Sequence, residues 1–356
     1  MTLRHRSAIG APAAHEVAER LALLLVRPDI AEAERLGAEL ARGPVTADRL
    51  LAVAGVLRAR AAPLVVPPNR VVLDVVDASA HAHTLVDVSA AAALLVAACD
   101  GTVAHHGAGA PRDGGEALFA ALGIPTDLDA AGARDALEWC GFAHLSRHRF
   151  HPTMGRIAHV IAAAPQFFAL LAPLLNPALP KRQLVGVDDP TATGPLLDAL
   201  VDLGAEAALV VTCGGAPFLS PDADAVGHLW IEGQRRTFGN LCGDASRAAL
   251  TSAGPTHDAA RVVATLGGLA EPLADAIAFT AGAALWVGGH LPTLGDARGW
   301  AADRLSQGVA LAELGGTAGP ASAICRSRTA PASASTNPRS PRPPRAAGRR
   351  GPGRTG

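Results

Sequence analysis

Five histidines, His81, His83, His105, His106 and His151, and the carboxylates around them carry the residue types and spacing that could do chemistry. Histidine titrates near neutral pH, so such a set can take up protons, release them, or donate hydrogen bonds to a sugar. The His81-x-His83 spacing also suits metal chelation. A third reading gives these rings no chemistry: a loop that has drifted, with its histidines solvated or satisfied in a core. The residues alone leave the three readings open. Asp77 and Asp87 bound the loop that holds His81 and His83, Ser89 follows it, and Asp74 precedes it.

Elements must position these groups. The apolar run Val71 to Val76 reads as a buried strand, Ser89 to Cys99 as a helix capped by Ser89, and Thr102 to Ala104 as a second strand. Strand, loop and helix in this order usually form an anion site, with glycines letting backbone N–H groups close on a phosphate. The loop Asp77 to Asp87 has no glycine. Before it, residues 12–60 read as three amphipathic helices, with Asp29 and Thr46 as caps of the second and third. After it, strands at Gln183 to Val187 and Ala207 to Thr212 flank a helix at Gly194 to Leu203. Helical patterns at Asp258 to Leu269, Pro272 to Val287 and Ala297 to Leu314 close the series. This alternation predicts an α/β fold with a mostly parallel sheet.

Composition narrows the class. With 356 residues and 49% hydrophobic content, the chain can bury a large core. Its five cysteines are odd in number and scattered, which argues for a reducing compartment and against a disulfide framework or thiolate zinc site. No run reaches the roughly 18 apolar residues of a membrane span, and no signal peptide is evident, so a cytoplasmic location is expected. The segment 317–356 holds eight arginines and no acidic residue, leaving 23 basic against 32 acidic side chains before it. Such a tail is expected to be disordered, and the acidic body argues against a dedicated nucleic-acid protein.

Several segments resemble anthranilate phosphoribosyltransferase of the glycosyltransferase family 3 fold. They are VLDVVD, VSAAAALLVAACDGTVAHHG, GGEALFAALGI, FHPTM, APLLNPALPKRQLVGV, LVDLGAEAALVV and AAALWVGG, in the family's order and spacing over roughly residues 12–316. The resemblance implies a small helical N-terminal domain (1–65, completed by later helices) and a larger α/β domain (66–316) with a mostly parallel sheet, which leaves 317–356 as the basic tail read from composition. It also implies a homodimer, and a cleft where a sugar donor meets an aromatic acceptor.

The same resemblance sets this chain apart. The family's diphosphate loop GTGGD falls on Asp77, Ala78, Ser79, Ala80 and His81. Its next motif retains only Ser89, and its KHG becomes His105-His106-Gly107. The arginine that grips the acceptor carboxylate falls on Pro165, and the Mg²⁺-holding Asp-Glu pair on Pro217-Phe218. Mg²⁺ would be needed only if a phosphorylated donor is still used, and no other cofactor or metal is implied. Asn176, His106 and His151 fall on or near the acceptor tunnel. The expected assignment is therefore His106 and His151 as catalytic, with Ser89, His81, His83, His105, Gly107 and Asn176 binding substrate. All five histidines are expected to face one pocket. The implied function is a diverged pentosyl transferase with an altered donor or acceptor; the alternative is a non-catalytic paralogue that binds a small molecule or partner subunit.

Overall fold

The computed structural model describes residues 13–80, 84–107, 115–221, 224–240 and 247–313. The chain opens with α1 (Ala14–Val26), α2 (Ile30–Arg42) and α3 (Ala47–Arg58). The expected caps form: Asp29 accepts from Glu32 N and Thr46 from Arg49 N. Then come β1 (Val72–Asp77), α4 (Val88–Ala98), β2 (Thr102–His106), α5 (Gly115–Ala121), α6 (Ala130–Trp139), β3 (Phe142–Leu145) and α7 (Arg147–Phe150). The short helices α8 (Ala158–Ala163), α9 (Pro165–Ala169) and α10 (Ala172–Leu175) lead into β4 (Arg182–Gly186), α11 (Thr193–Asp202) and β5 (Ala207–Cys213). A hairpin of β6 (Ala225–Ile231) and β7 (Gln234–Asn240) precedes α12 (Pro255–Leu266), α13 (Pro272–Val287), α14 (Leu294–Ser306) and α15 (Val309–Glu313).

The sheet has seven strands in the order β3-β2-β1-β4-β5-β6-β7. Its first five positions are parallel and the hairpin at the edge is antiparallel. Apolar residues on both faces explain why the central strands are buried on both sides. On one face, Val75, Val103, Leu184 and Leu209 pack with α4, α12, α13 and α14. On the other, Val76, Val185 and Val210 join the leucines of α1–α3 and the short helices α8–α10. A smaller cluster around Leu137, Leu145 and Phe150 closes the β3 end.

Some expectations are corrected. The N-cap of α4 is Asp87, whose carboxylate accepts from Ala90 N at 2.8 Å, and Ser89 lies inside the helix. Strand β2 runs on to His106 because its last residues pair with His144 and Leu145 of β3, a strand too short to read from its own four residues. The last helical pattern is broken at Gly308, where φ is +65°. Cys140 is disulfide-bonded, where scattered cysteines argued against a disulfide framework, whereas Cys99 and Cys213 are buried and form no disulfide. Among the described residues no helix is long and apolar enough to cross a membrane. The segment 317–356 lies outside the described residues.

Candidate active site

Parallel strands bring Asp77, His105, His106, Leu145 and Asp188 to one edge of the sheet, the edge at which α/β proteins bind ligands. The loop there begins with a local turn, Asp77 Oδ1 accepting from Ser79 N at 2.8 Å. Asp87 then occupies the N-terminus of α4 with its own carboxylate. A helix N-terminus attracts anions through its unpaired N–H groups, and this one already holds a negative group. Burial holds the Asp77 carboxyl well above its usual range, and the charges of Asp87 and Asp188 push the same way. Burial also raises Asp87. Ser89 is buried and its hydroxyl donates to the Pro217 carbonyl at 3.4 Å. That carbonyl passes so close to Gly186 that a Cβ there would sit 1.7 Å from it, so only glycine fits.

Alternation along β2 sends its two histidines to opposite faces of the sheet. His106 faces the short helices α7–α10. Its Nδ1 donates to the Leu145 carbonyl at 2.7 Å, and its ring centroid is 5.2 Å from that of His151. A carbonyl can only accept, so the ring hydrogen is on Nδ1 and Nε2 carries a lone pair. That Nε2 is buried without a partner. Burial, with His151 nearby, pushes the imidazole down to about 3, so the ring is neutral at physiological pH. His151 donates from Nε2 to the Leu175 carbonyl at 2.9 Å, its Nδ1 has no partner at bonding distance, and burial lowers it too.

Asn176 fastens this face. Its Nδ2 donates to Asp74 Oδ2 at 2.9 Å and to the Ala104 carbonyl at 2.7 Å, and its Oδ1 accepts from Ala178 N at 2.9 Å. Asp74 is fully buried and pushed up to about 7 by that burial, with the Asn176 bond pulling the other way. Asp74 Oδ1 and Ser146 Oγ join the two imidazoles as buried polar atoms without partners. Such atoms are rare in folded proteins and mark places where water or a ligand completes the bonding.

The other face differs. His105 lies against Phe119 at 5.0 Å between centroids, and its Nδ1 is 3.2 Å from Nδ1 of His144. Burial pushes His105 down to about 4 and His144 well below its ordinary value. The expectation that all five histidines share one pocket is therefore wrong: the pleat separates His105 from His106 and His151, and His81 and His83 lie outside the described residues. His144 escaped the sequence reading because β3 did; strand alternation alone would have paired it with His105. Among the described residues, a Cβ at Gly107, just past β2, would meet His144 Cε1 at 3.4 Å.

Mg²⁺ demands several oxygen ligands, and Pro217 and Phe218 offer no side-chain oxygen. Among the described residues no three acidic, histidine or cysteine side chains converge on a point that could hold a metal. The described residues at these positions do not fit the ion. A separate cavity of about 540 Å³, between Arg182, Glu206, Trp286 and His290, opens at the opposite edge of the sheet.

A family model described as the a/b domain of a glycosyl transferase family matches residues 69–311. Anthranilate phosphoribosyltransferase of Methylobacterium sp. (strain 4-46) is 33% identical over 281 residues, spanning 75% of this chain and 82% of that protein. The Thermus thermophilus protein of that name is 34% identical over 267 residues, spanning 73% and 80%. The crystal structure of the Thermus thermophilus enzyme superposes with a TM-score of 0.75 at 31% identity, covering 85% of this chain and 93% of that one. The Saccharomyces cerevisiae enzyme in complex with PRPP and Mg shares the fold, with a TM-score of 0.73 at 17% identity, covering 84% and 91%.

Proposed function

Because the chain belongs to the glycosyl transferase family whose α/β domain it matches, as an anthranilate phosphoribosyltransferase-like member, we propose that it is a pentosyl transferase with an altered donor. The donor is a pentosyl compound without a diphosphate, and the acceptor is aromatic. The observation that carries this reading is the His106 ring, whose N–H is committed to the Leu145 carbonyl and whose Nε2 lone pair is buried and unpartnered. In this role Nε2 takes the proton of the acceptor as the acceptor bonds to the sugar carbon and the leaving group departs. His151 and Asn176 line the same face and orient the acceptor. The yeast enzyme is in complex with PRPP and Mg; here the loop Asp77 to Asp87 has no glycine, and its two carboxyl groups, when ionised, carry charge of the wrong sign for a diphosphate.

Anthranilate consumption, followed by its fluorescence, tests the reading. Turnover is expected with a pentosyl donor lacking diphosphate and without added Mg²⁺; turnover with PRPP alone would return the ordinary reaction of the relatives. The self-capped helix α4 favours a second reading, a paralogue that binds without turnover. Absence of turnover with every donor, while ligands raise the melting temperature, would select it. We propose further that the protein is a homodimer through its N-terminal helices, where Leu23, Val26 and Ile30 are 67%, 63% and 59% exposed.

A further inference from the structure

The cavity at the opposite edge of the sheet has walls that the transferase reading does not use. Strands β4 and β5 start there side by side, Arg182 paired with Ala207, and β6 ends there at Ile231. Helix α13 ends against them at Val287, and Gly288-Gly289 turn the chain, Gly289 with φ +76°. About 540 Å³ lies between these elements, within the size range of small-ligand pockets. From its walls we infer that the cavity is a binding site for a free α-amino acid with an apolar or aromatic side chain. It lies at the end of the sheet away from His106 and does not depend on the transferase reading.

Three features of the walls define that ligand. The first is a cation held in place. Arg182 Nη1 donates to the Val287 carbonyl at 3.0 Å, at the negative end of α13. Gly289 makes room for the guanidinium, since a Cβ there would sit 3.0 Å from Nη1. Nη2 stands 3.8 Å from Glu206 Oε2, beyond hydrogen-bond distance, and is placed to take a ligand carboxylate. The second feature is a surplus of negative charge. Glu206 and Glu232 both line the cavity, and their arginine contacts are loose, 3.8 Å to Arg182 and 3.6 Å to Arg236. Burial lowers the His290 imidazole and Arg182 acts the same way, so that ring is mostly neutral at pH 7. One guanidinium in the cavity wall thus meets two carboxylates. A ligand carrying only a carboxylate would add to the surplus, whereas a zwitterion brings an ammonium for it. Inserted between Arg182 and Glu206, a zwitterion replaces one loose ion pair with two direct ones. The third feature is apolar. Ile231, Trp286 and Leu291 line the cavity, half-buried and packed against the core. An indole beside two branched chains suits an apolar or aromatic side chain and offers a polar one no partner of its own.

Titration calorimetry of the full chain with three probes tests this without any assay of turnover. The probes are L-phenylalanine, phenethylamine, which lacks the carboxylate, and 3-phenylpropionate, which lacks the ammonium. L-Phenylalanine should bind saturably with a Kd below about 1 mM. Each analogue should bind at least about tenfold more weakly, because each loses a charge-assisted hydrogen bond. Glu206→Gln should weaken L-phenylalanine at least about tenfold and leave 3-phenylpropionate unchanged or tighter, since the amide no longer competes for Arg182. Arg182→Gln should weaken L-phenylalanine and 3-phenylpropionate and spare phenethylamine. Glu206 is 63% exposed, so its variant should keep the wild-type melting temperature. If Arg182→Gln fails to fold for want of its bond to Val287, the opposite responses of the two ligands to Glu206→Gln decide alone. No saturable binding of L-phenylalanine up to about 10 mM, equal binding of the three probes, or binding that Glu206→Gln leaves unchanged would overturn the site.

Discussion

The proposed chemistry rests on His106, and a pH-dependent stability cost falls on Asp74. Replacing a proton-transferring side chain typically costs 10²–10⁴ in rate, so His106→Gln should lower turnover by at least about 100-fold while glutamine keeps a donor for the Leu145 carbonyl. Unchanged turnover in a folded variant would remove His106 from the reaction. Asp74 gives a stability test with a definite sign. Its carboxyl titrates at about 7 in the folded protein against 3.8 ordinarily. The stability it contributes is thus present below about 3.8 and lost as pH rises through about 7. Asp74→Asn mimics the protonated acid, so its advantage over the wild type should widen by roughly 2 to 3 kcal/mol between pH 5 and pH 8, at about 1.4 kcal/mol per pH unit. Denaturant unfolding at the two pH values measures this; a constant difference would mean that Asp74 is ionised throughout.

Elements with strong end signals were legible in the sequence, and those with weak ones were not. Helix α13 has the predicted bounds, Pro272 to Val287, because proline opens it and glycine follows it. Asp29 and Thr46 marked α2 and α3 for the same kind of reason. The hairpin of β6 and β7 gave no such signal. Its turn is Glu232-Gly233, both with positive φ, where asparagine or aspartate usually precedes the glycine, and its exposed edge dilutes the apolar pattern. At the site, the family resemblance grouped His106 with His151 and Asn176, but the sequence could not divide His105 from His106 until β2 was known to extend through both. It also placed the cap of α4 two residues late. Asp87→Ala should cost about 1 kcal/mol through the lost bond to Ala90 N. Asp87→Asn keeps an acceptor there and removes the repulsion with Asp77, so at pH 8 it should be no less stable than the wild type. Equal losses in both variants would show that charge, not capping, is what Asp87 provides.

At the scale of the whole molecule, one sheet carries two faces of different chemistry. The face of His106, His151 and Asn176 is braced by backbone carbonyls and ready to accept hydrogen. The face of α4 is closed by its own carboxylate and flanked by neutral imidazoles. Assembly is testable first: sedimentation at micromolar concentration should give a dimer, and Leu23→Glu with Ile30→Glu should give a monomer. A wild-type monomer would leave the exposed residues of α1 and α2 unexplained. The most direct test of the central claim is titration calorimetry of the full chain with PRPP in millimolar Mg²⁺. No saturable binding is expected up to millimolar PRPP at pH 8, because the loop Asp77 to Asp87 offers a diphosphate two carboxylates and no glycine. Micromolar binding at that pH would contradict the account and make ordinary phosphoribosyl transfer the function.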